Sequence, residues 1–135
     1  VRMVDKRLRK MRRVRELAVP PVLTGPREYE TLVVSWGSTS PVVREALSLF
    51  DSAGMASLHF PQVFPLHEST AGLLSRAGKV ILVEGNATGQ FGEVLRRETG
   101  IEFAGKILKY NGLPFSVEEL SERLAAAVAA GGSHG

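Results

Sequence analysis

Short apolar runs alternate along the chain with segments in which apolar residues recur every three or four positions. Because such runs are typical of buried strands and such recurrence is typical of amphipathic helices, the order of elements can be predicted. The predicted strands are residues 31–36, 55–60, 79–84 and 106–110, and the predicted helices are residues 41–53, 67–77, 90–99 and 117 to about 130. Strands separated by helices favour parallel pairing with right-handed crossovers. The pattern therefore predicts a three-layer α/β/α domain with a mostly parallel sheet.

Proline and glycine mark the ends of this pattern. A narrow apolar stripe on an otherwise basic segment predicts an N-terminal helical arm, which Pro20-Pro21 ends because proline removes a backbone donor. Ser116 and Glu119 form a capping box that opens the last helix. The predicted division of the chain is a basic arm over 1–18, an extended linker over 19–28, the α/β domain over 29–130 and a frayed tail over 131–135.

Length and composition limit the class of protein. The 135 residues, of which 44% are hydrophobic, suit one globular domain. No apolar stretch approaches the roughly 20 residues that cross a bilayer, so we expect no membrane partner and a cytoplasmic protein. The absence of cysteine excludes disulfides, cysteine–zinc sites and an iron–sulfur cluster held by this chain.

The net charge of +3 is unevenly distributed. Residues 1–16 carry eight basic and two acidic residues, or +6, so the rest of the chain carries −3. Clustered Arg and Lys can neutralise nucleic-acid phosphates, but the arm lacks aromatic residues that would stack on bases. We therefore favour packing of the arm against another protein segment, and a nucleic-acid partner is not expected.

The first candidate site is the turn Gly37-Ser38-Thr39-Ser40 between a strand and a helix. Backbone N–H groups and hydroxyls at a helix N-terminus can hold a phosphate or carboxylate. Alternatively, Ser40 caps the helix and Gly37 only permits the turn. No Walker lysine and no Gly-x-Gly-x-x-Gly motif supports nucleotide binding.

The second candidate site combines Glu84, Asn86 and Gln90 after the third predicted strand. A carboxylate beside an amide and a helix N-terminus can bind a ligand or hold two loops together. Alternatively, Glu84 accepts backbone N–H bonds from the turn that follows it.

Other candidate residues point to structure. His59 and His67 lie eight positions apart, match no standard metal spacing and have no obvious third ligand, so no metal site is predicted. Trp36 ends the first strand, and we interpret its side chain as packing in the core or at an interface.

With these motifs in order, the chain resembles the C-terminal domain of the alpha subunit of 2-oxoacid:ferredoxin oxidoreductases, which is a transketolase C-terminal-like domain. The resemblance extends from the arm to about Leu124. It departs from the family at Leu113, where the family often has a basic residue. The matching segments are Lys6-Arg7 with Lys10, Val34-Ser35-Trp36-Gly37-Ser38-Thr39 with Glu45-Ala46, His59 through Phe64-Pro65, Val83-Glu84-Gly85-Asn86 with Gly89-Gln90, and Tyr110-Asn111-Gly112-Leu113-Pro114-Phe115.

The resemblance implies an assembly role. The family oxidatively decarboxylates a 2-oxoacid with thiamine diphosphate and Mg²⁺, reduces ferredoxin through iron–sulfur clusters and forms an acyl-CoA. The cofactor lies between other domains of the alpha subunit and the beta subunit, so this chain alone is expected to bind no cofactor, carry no catalytic residue and be inactive. Glu84 should not take the role of the glutamate that activates thiamine. The loop residues that would then contact other subunits are Gly37, Ser38, Thr39, Glu84, Asn86 and Gln90. The alternative is an independent module that binds a small anion or nucleotide.

Overall fold

The computed structural model of the chain describes residues 17–49, 54–62, 64–85, 90–109 and 114–132. Its centre is a five-stranded sheet with the spatial order β1-β3-β2-β4-β5. The strands are β1 Val22–Thr24, β2 Thr31–Trp36, β3 Met55–Phe60, β4 Lys79–Glu84 and β5 Gly105–Leu108. Strand β1 is antiparallel to β3, whereas every other neighbouring pair is parallel. The predicted mostly parallel sheet is confirmed.

Within the described residues, four α-helices connect and flank these strands. They are α1 Ser40–Ser48, α2 Thr70–Ser75, α3 Gln90–Thr99 and α4 Val117–Gly132, and a 3₁₀ helix Gly37–Thr39 precedes α1. The predicted bounds of β2, β3, β4 and α3 are confirmed. Helix α2 is shorter than the predicted 67–77, because His67 and Ser69 form a polar turn before it. The backbone of α4 is helical two residues beyond the predicted end.

Each face of the sheet has its own core. On one face, α2 and α3 supply Leu74, Phe91 and Leu95 to a cluster that includes Leu32 and Leu58 of the sheet. On the other face, α1 and α4 cover a second cluster. It consists of Val33, Val43, Ala46, Ile81, Val83, Ile107, Phe115, Leu120 and Leu124. Because side chains alternate between the two faces of a strand, the continuous apolar run of β2 fills both clusters. The three-layer α/β/α class is confirmed.

The short strand β1 was not predicted. Val22–Thr24 lies in the segment expected to be an extended linker, and it pairs with β3 from Val22 opposite His59 to Thr24 opposite Ser57. Only three residues pair, after two prolines, so the sequence shows no recognisable strand run. No helix among the described residues is long and apolar enough to cross a membrane. The arm at residues 1–16, Asn86 and the Asn111-Gly112 turn lie outside the described residues.

Candidate functional site: two junctions at the carboxyl edge of the sheet

Strands β2 and β4 are parallel neighbours, and the chain leaves them toward opposite faces. Helix α1 follows β2 on one face, and α3 follows β4 on the other. Such a topological switch point is where open α/β sheets form a crevice for ligands. We call residues 37–40 the first junction and residues 84–92 the second junction.

The first junction presents an open turn. Gly37 has φ +63, a left-handed conformation that glycine adopts without strain, and it begins the 3₁₀ helix. Gly37 and Ser38 are exposed, and Thr39 is half-buried. The N-cap of α1 is Thr39, which makes no side-chain capping bond, and Ser40 is the first residue of the helix. The alternative that Ser40 caps the helix is therefore wrong.

The two junctions touch. A Cβ atom built on Gly85 would lie 3.0 Å from Oγ1 of Thr39, which is tighter than an ordinary contact. Glycine at position 85 therefore lets the loop after β4 approach the 3₁₀ helix closely. This contact lies between the ends of β2 and β4, the region where a doubly wound sheet can hold a ligand.

The side chain of Glu84 accepts hydrogen bonds from the helix that follows it. Its side chain is 1% exposed, and its two carboxylate oxygens accept the backbone N–H groups of Phe91 at 2.9 Å and Gly92 at 3.5 Å. A carboxylate at a helix N-terminus satisfies orphan donors and interacts favourably with the helix dipole. The interpretation that Glu84 accepts backbone N–H bonds is confirmed. Gln90 is the exposed first residue of α3.

A buried polar group beside the first junction was not predicted. The hydroxyl of Ser40 lies 3.0 Å from that of Ser35 and also hydrogen-bonds Nδ1 of His59. Ser35 and Ser40 are 1% and 2% exposed, and His59 is half-buried. Burial, and then the positive charge of Arg44, lower the pKa of His59 below its ordinary value of 6.5. One sequence signal was available, because Ser35 interrupts the apolar run of β2.

The other candidates have structural partners. Nδ1 of His67 accepts the backbone N–H of Ser69 at 3.1 Å and lies 2.8 Å from its hydroxyl, which fixes the turn before α2. The ring of Trp36 packs against that of Phe91, with centroids 6.3 Å apart. Among the described residues, no group of three His, Cys, Asp or Glu side chains could hold a metal ion.

Comparison with known proteins supplies the family. No protein-family model matches the chain. A curated relative from Aeropyrum pernix, the alpha subunit of 2-oxoacid:ferredoxin oxidoreductase 1, is 37% identical over 103 residues, which are 73% of this chain and 16% of the relative. The 2-oxoglutarate:ferredoxin oxidoreductase of Magnetococcus marinus, solved with 2-oxoglutarate, coenzyme A and succinyl-CoA bound, superposes with a TM-score of 0.80 and 26% identity. That match covers 93% of this chain and 23% of the Magnetococcus chain.

A shorter solved protein matches almost end to end. The alpha chain of a probable 2-oxoacid ferredoxin oxidoreductase from Thermoplasma acidophilum is 31% identical, with a TM-score of 0.53. The match covers 82% of this chain and 97% of the Thermoplasma chain. This chain thus spans a small part of the two longer proteins and nearly all of the shorter one. The chain belongs to the family of 2-oxoacid:ferredoxin oxidoreductase alpha subunits.

Proposed function

We propose that this chain is an assembly domain of a thiamine-diphosphate-dependent 2-oxoacid:ferredoxin oxidoreductase. The parent enzyme would oxidatively decarboxylate a 2-oxoacid to an acyl-CoA and reduce ferredoxin in the cytoplasm. The partners of this chain would be the other alpha-subunit domains and the beta subunit, whereas ferredoxin and CoA would bind the whole complex. The observation that carries the proposal is the engagement of Glu84 by the N-terminus of α3.

The described residues do not fit a thiamine diphosphate or Mg²⁺ site. Both oxygens of Glu84 accept backbone N–H groups, so the carboxylate is not presented to a metal ion or to the thiamine ring. Thr39 lies close to Gly85, so the described ends of β2 and β4 approach each other closely at the switch point. We therefore assign thiamine diphosphate, Mg²⁺ and the iron–sulfur clusters to other parts of the parent complex.

Several exposed residues at this edge are proposed to contact the partners. Gly37, Ser38 and Gln90 are exposed on the two junctions. Phe64, in the loop after β3, is 63% exposed. Because β2, β3 and β4 are parallel, the loop that holds Phe64 follows β3 at the same edge of the sheet. An exposed aromatic side chain is suited to docking against another protein.

A reconstitution assay tests the division of labour. Ferredoxin reduction is measured with pyruvate or 2-oxoglutarate, thiamine diphosphate, Mg²⁺ and CoA, first with this chain alone and then with the remaining oxidoreductase polypeptides of its organism. We expect turnover only in the second mixture. Turnover by this chain alone would show that it carries a reaction centre and would reject the proposal.

A blocking variant tests the position of the interface. Ser38→Trp adds a bulky side chain to the exposed first junction, and Glu102→Trp adds one to the exposed loop before β5, at the amino edge of the sheet. We expect the first variant to lose co-purification with the other oxidoreductase polypeptides and the second to retain it. Equal co-purification of both variants would remove the first junction from the interface.

A thermal-shift screen tests the small-anion alternative. Phosphate, nucleotides and CoA are each added to this chain alone. A ligand at 100 times its Kd would add about 2.7 kcal/mol to the free energy of unfolding. We expect no such shift, because the Ser40 hydroxyl is held by Ser35 and His59. A shift that Ser38→Trp abolishes would favour an independent binding module.

A further inference from the structure

One hydroxyl joins the start of α1 to two strands of the sheet. Ser40, the first residue of α1, lies 3.0 Å from the hydroxyl of Ser35 in β2 and hydrogen-bonds Nδ1 of His59 in β3. Ser35 and His59 are directly opposite each other in the parallel β2–β3 pair. The N-cap residue Thr39 makes no side-chain capping bond. Within the described residues, the Ser40 hydroxyl therefore provides the side-chain hydrogen bonds that attach the first junction to the sheet.

The three side chains have a defined number of hydrogens to place. Either hydroxyl can donate in the Ser35–Ser40 bond, and Nδ1 of His59 accepts or donates according to where the imidazole proton lies. If Ser35 donates to Ser40 and Ser40 donates to Nδ1, each hydroxyl hydrogen has an acceptor. If Nδ1 carries a proton, Ser40 must accept it, and one hydroxyl hydrogen then has no acceptor among the described residues. Both hydroxyls are almost fully buried, and a buried donor without an acceptor is costly, so an unprotonated Nδ1 is favoured.

We propose that His59 is a pH-sensitive switch of the first junction. While the ring is neutral, with its proton on Nε2, the Ser40 hydroxyl holds the start of α1 to β2 and β3. Uptake of a second proton places a hydrogen on Nδ1, reverses the bond to Ser40 and leaves a buried hydroxyl hydrogen without an acceptor, so the first turn of α1 opens more often. The proposal does not depend on the assembly role, because every contact in it lies within this chain.

The charges around the ring favour its neutral state. Among the described residues, Arg44 of α1 carries the charge that acts on His59, whereas the neighbours on the adjacent strands, Ser35 of β2 and Val22 of β1, carry none. The N-terminus of α1, which bears a partial positive charge, reaches Nδ1 through Ser40. Burial, and then the charge of Arg44, lower the pKa of His59 below 6.5. The switch therefore operates on the acid side of pH 6.5, where the ring gains its second proton.

Nitrogen NMR of this chain tests the starting state of the switch. In a ¹⁵N-labelled sample at pH 7.5, long-range ¹H–¹⁵N correlations distinguish protonated from unprotonated imidazole nitrogens, and His59→Asn identifies the signals of His59 by their loss. We expect an unprotonated Nδ1 and a protonated Nε2. A proton on Nδ1 at this pH would overturn the proposal.

Amide hydrogen exchange tests the opening of α1. In an α-helix the N–H of Arg44 donates to the carbonyl of Ser40, so its exchange reports opening of the first turn of α1. Protection factors, which are corrected for the intrinsic effect of pH on exchange, are compared at pH 7.5 and at about pH 5. We expect the protection of Arg44 to fall about three- to tenfold at the lower pH, as for the loss of one buried hydrogen bond. The protection of Leu95, buried in α3, should change less.

Two variants show whether His59 causes this change. His59→Asn keeps an amide near the Nδ1 position as a partner for Ser40 but has no group that titrates in this range. His67→Asn removes the other described histidine, whose Nδ1 accepts the N–H of Ser69 before α2. We expect the fall in Arg44 protection to disappear in His59→Asn and to persist in His67→Asn.

Several results would overturn the switch. These are an unchanged protection of Arg44, equal falls at Arg44 and Leu95, or a fall of the same size in His59→Asn. Loss of the effect in His67→Asn would assign it to His67 and reject the proposal. If His59→Asn does not fold, the unaltered chain decides, because the Arg44 amide signal must titrate with the same midpoint as the ring nitrogens of His59, and a different midpoint would reject the switch.

Discussion

Glu84 and His59 lie near the same edge of one sheet, yet the protein uses their polar atoms in opposite ways. Glu84 is buried, and both of its oxygens accept backbone N–H groups from α3, so its bonding capacity is used inside the domain. His59 hydrogen-bonds Ser40 through Nδ1 and remains half-buried opposite the exposed Val22 of β1. One edge of the sheet therefore holds a carboxylate whose oxygens both accept hydrogen bonds within the domain and, two strands away, an imidazole that is only half-buried.

The largest expected effect is that of Glu84→Ala, which tests the structural role of this carboxylate. The change leaves the backbone N–H groups of Phe91 and Gly92 without an acceptor in a buried site. We expect the free energy of unfolding to fall by about 4 kcal/mol, because charge-assisted hydrogen bonds and packing are both lost. Urea denaturation measures it. The matched control is Glu93→Ala in the exposed first turn of α3, where a loss below about 1 kcal/mol is expected. Equal losses would show that the carboxylate has no special structural role.

Ser40→Ala sharpens the other side of the comparison. Removing this hydroxyl leaves Ser35 and Nδ1 of His59 without their shared partner. We expect the free energy of unfolding to fall by about 2 kcal/mol, since buried polar groups lose hydrogen bonds. In the same helix, Ser48→Ala removes an exposed hydroxyl that donates to the carbonyl of Glu45, and should cost less than about 0.5 kcal/mol. Urea denaturation of both variants measures these changes. An unchanged free energy of unfolding in Ser40→Ala would show that the hydrogen bonds among Ser35, Ser40 and His59 do not stabilise the fold.

A smaller effect is expected at Gly92, whose backbone N–H donates to Glu84. A Cβ on Gly92 would lie 2.4 Å from Cδ2 of the buried Leu82, whereas a Cβ on Gly72, in α2, meets nothing within 4 Å. Gly92→Ala should lower the free energy of unfolding by about 1 kcal/mol, because overpacking exceeds the gain in helix propensity. Gly72→Ala should raise it by about 0.5 kcal/mol. Thermal unfolding compares the stabilities of the two variants. Stabilisation by Gly92→Ala would mean that the close approach of α3 to Leu82 does not require glycine at position 92.

The smallest effect is a pH dependence at His59. Since its folded-state pKa lies below the ordinary value of 6.5, the unfolded chain binds the proton more readily. The contribution of the neutral ring to stability is therefore complete above about pH 6.5 and is lost as the pH falls through the lower folded-state pKa. Unfolding free energies at pH 7.5 and 5.5 should differ less in His59→Gln than in the unaltered chain. An equal difference in both proteins would show that another group is responsible.

Much of the fold could be predicted because its signals are local. The apolar run of β4 and the helix that begins at Gln90 lie where the sequence pattern places them, since both depend on neighbouring residues. The positive φ of Gly100 after α3 likewise follows from glycine at a helix end. By contrast, β1 depends on pairing with β3, which lies more than thirty residues away in the sequence.

The candidate site was only partly predictable for the same reason. The link from Glu84 to α3 spans seven residues and follows from a polar strand end before a helix. The contact between Thr39 and Gly85 and the bond between Ser40 and His59 join distant segments, so their partners are known only once the strand order is known. Whether Gly37, Ser38, Thr39, Asn86 and Gln90 contact a partner stays a prediction.

Glycine at position 85 has a mechanical consequence. With no side chain between them, the 3₁₀ helix and the end of β4 are separated by little more than contact distance. An inward displacement of Ser38 would therefore be passed directly to the end of β4, which lies beside the central strand β2. If the proposed assembly role is correct, this close contact would help to fix the spacing of the neighbouring domains.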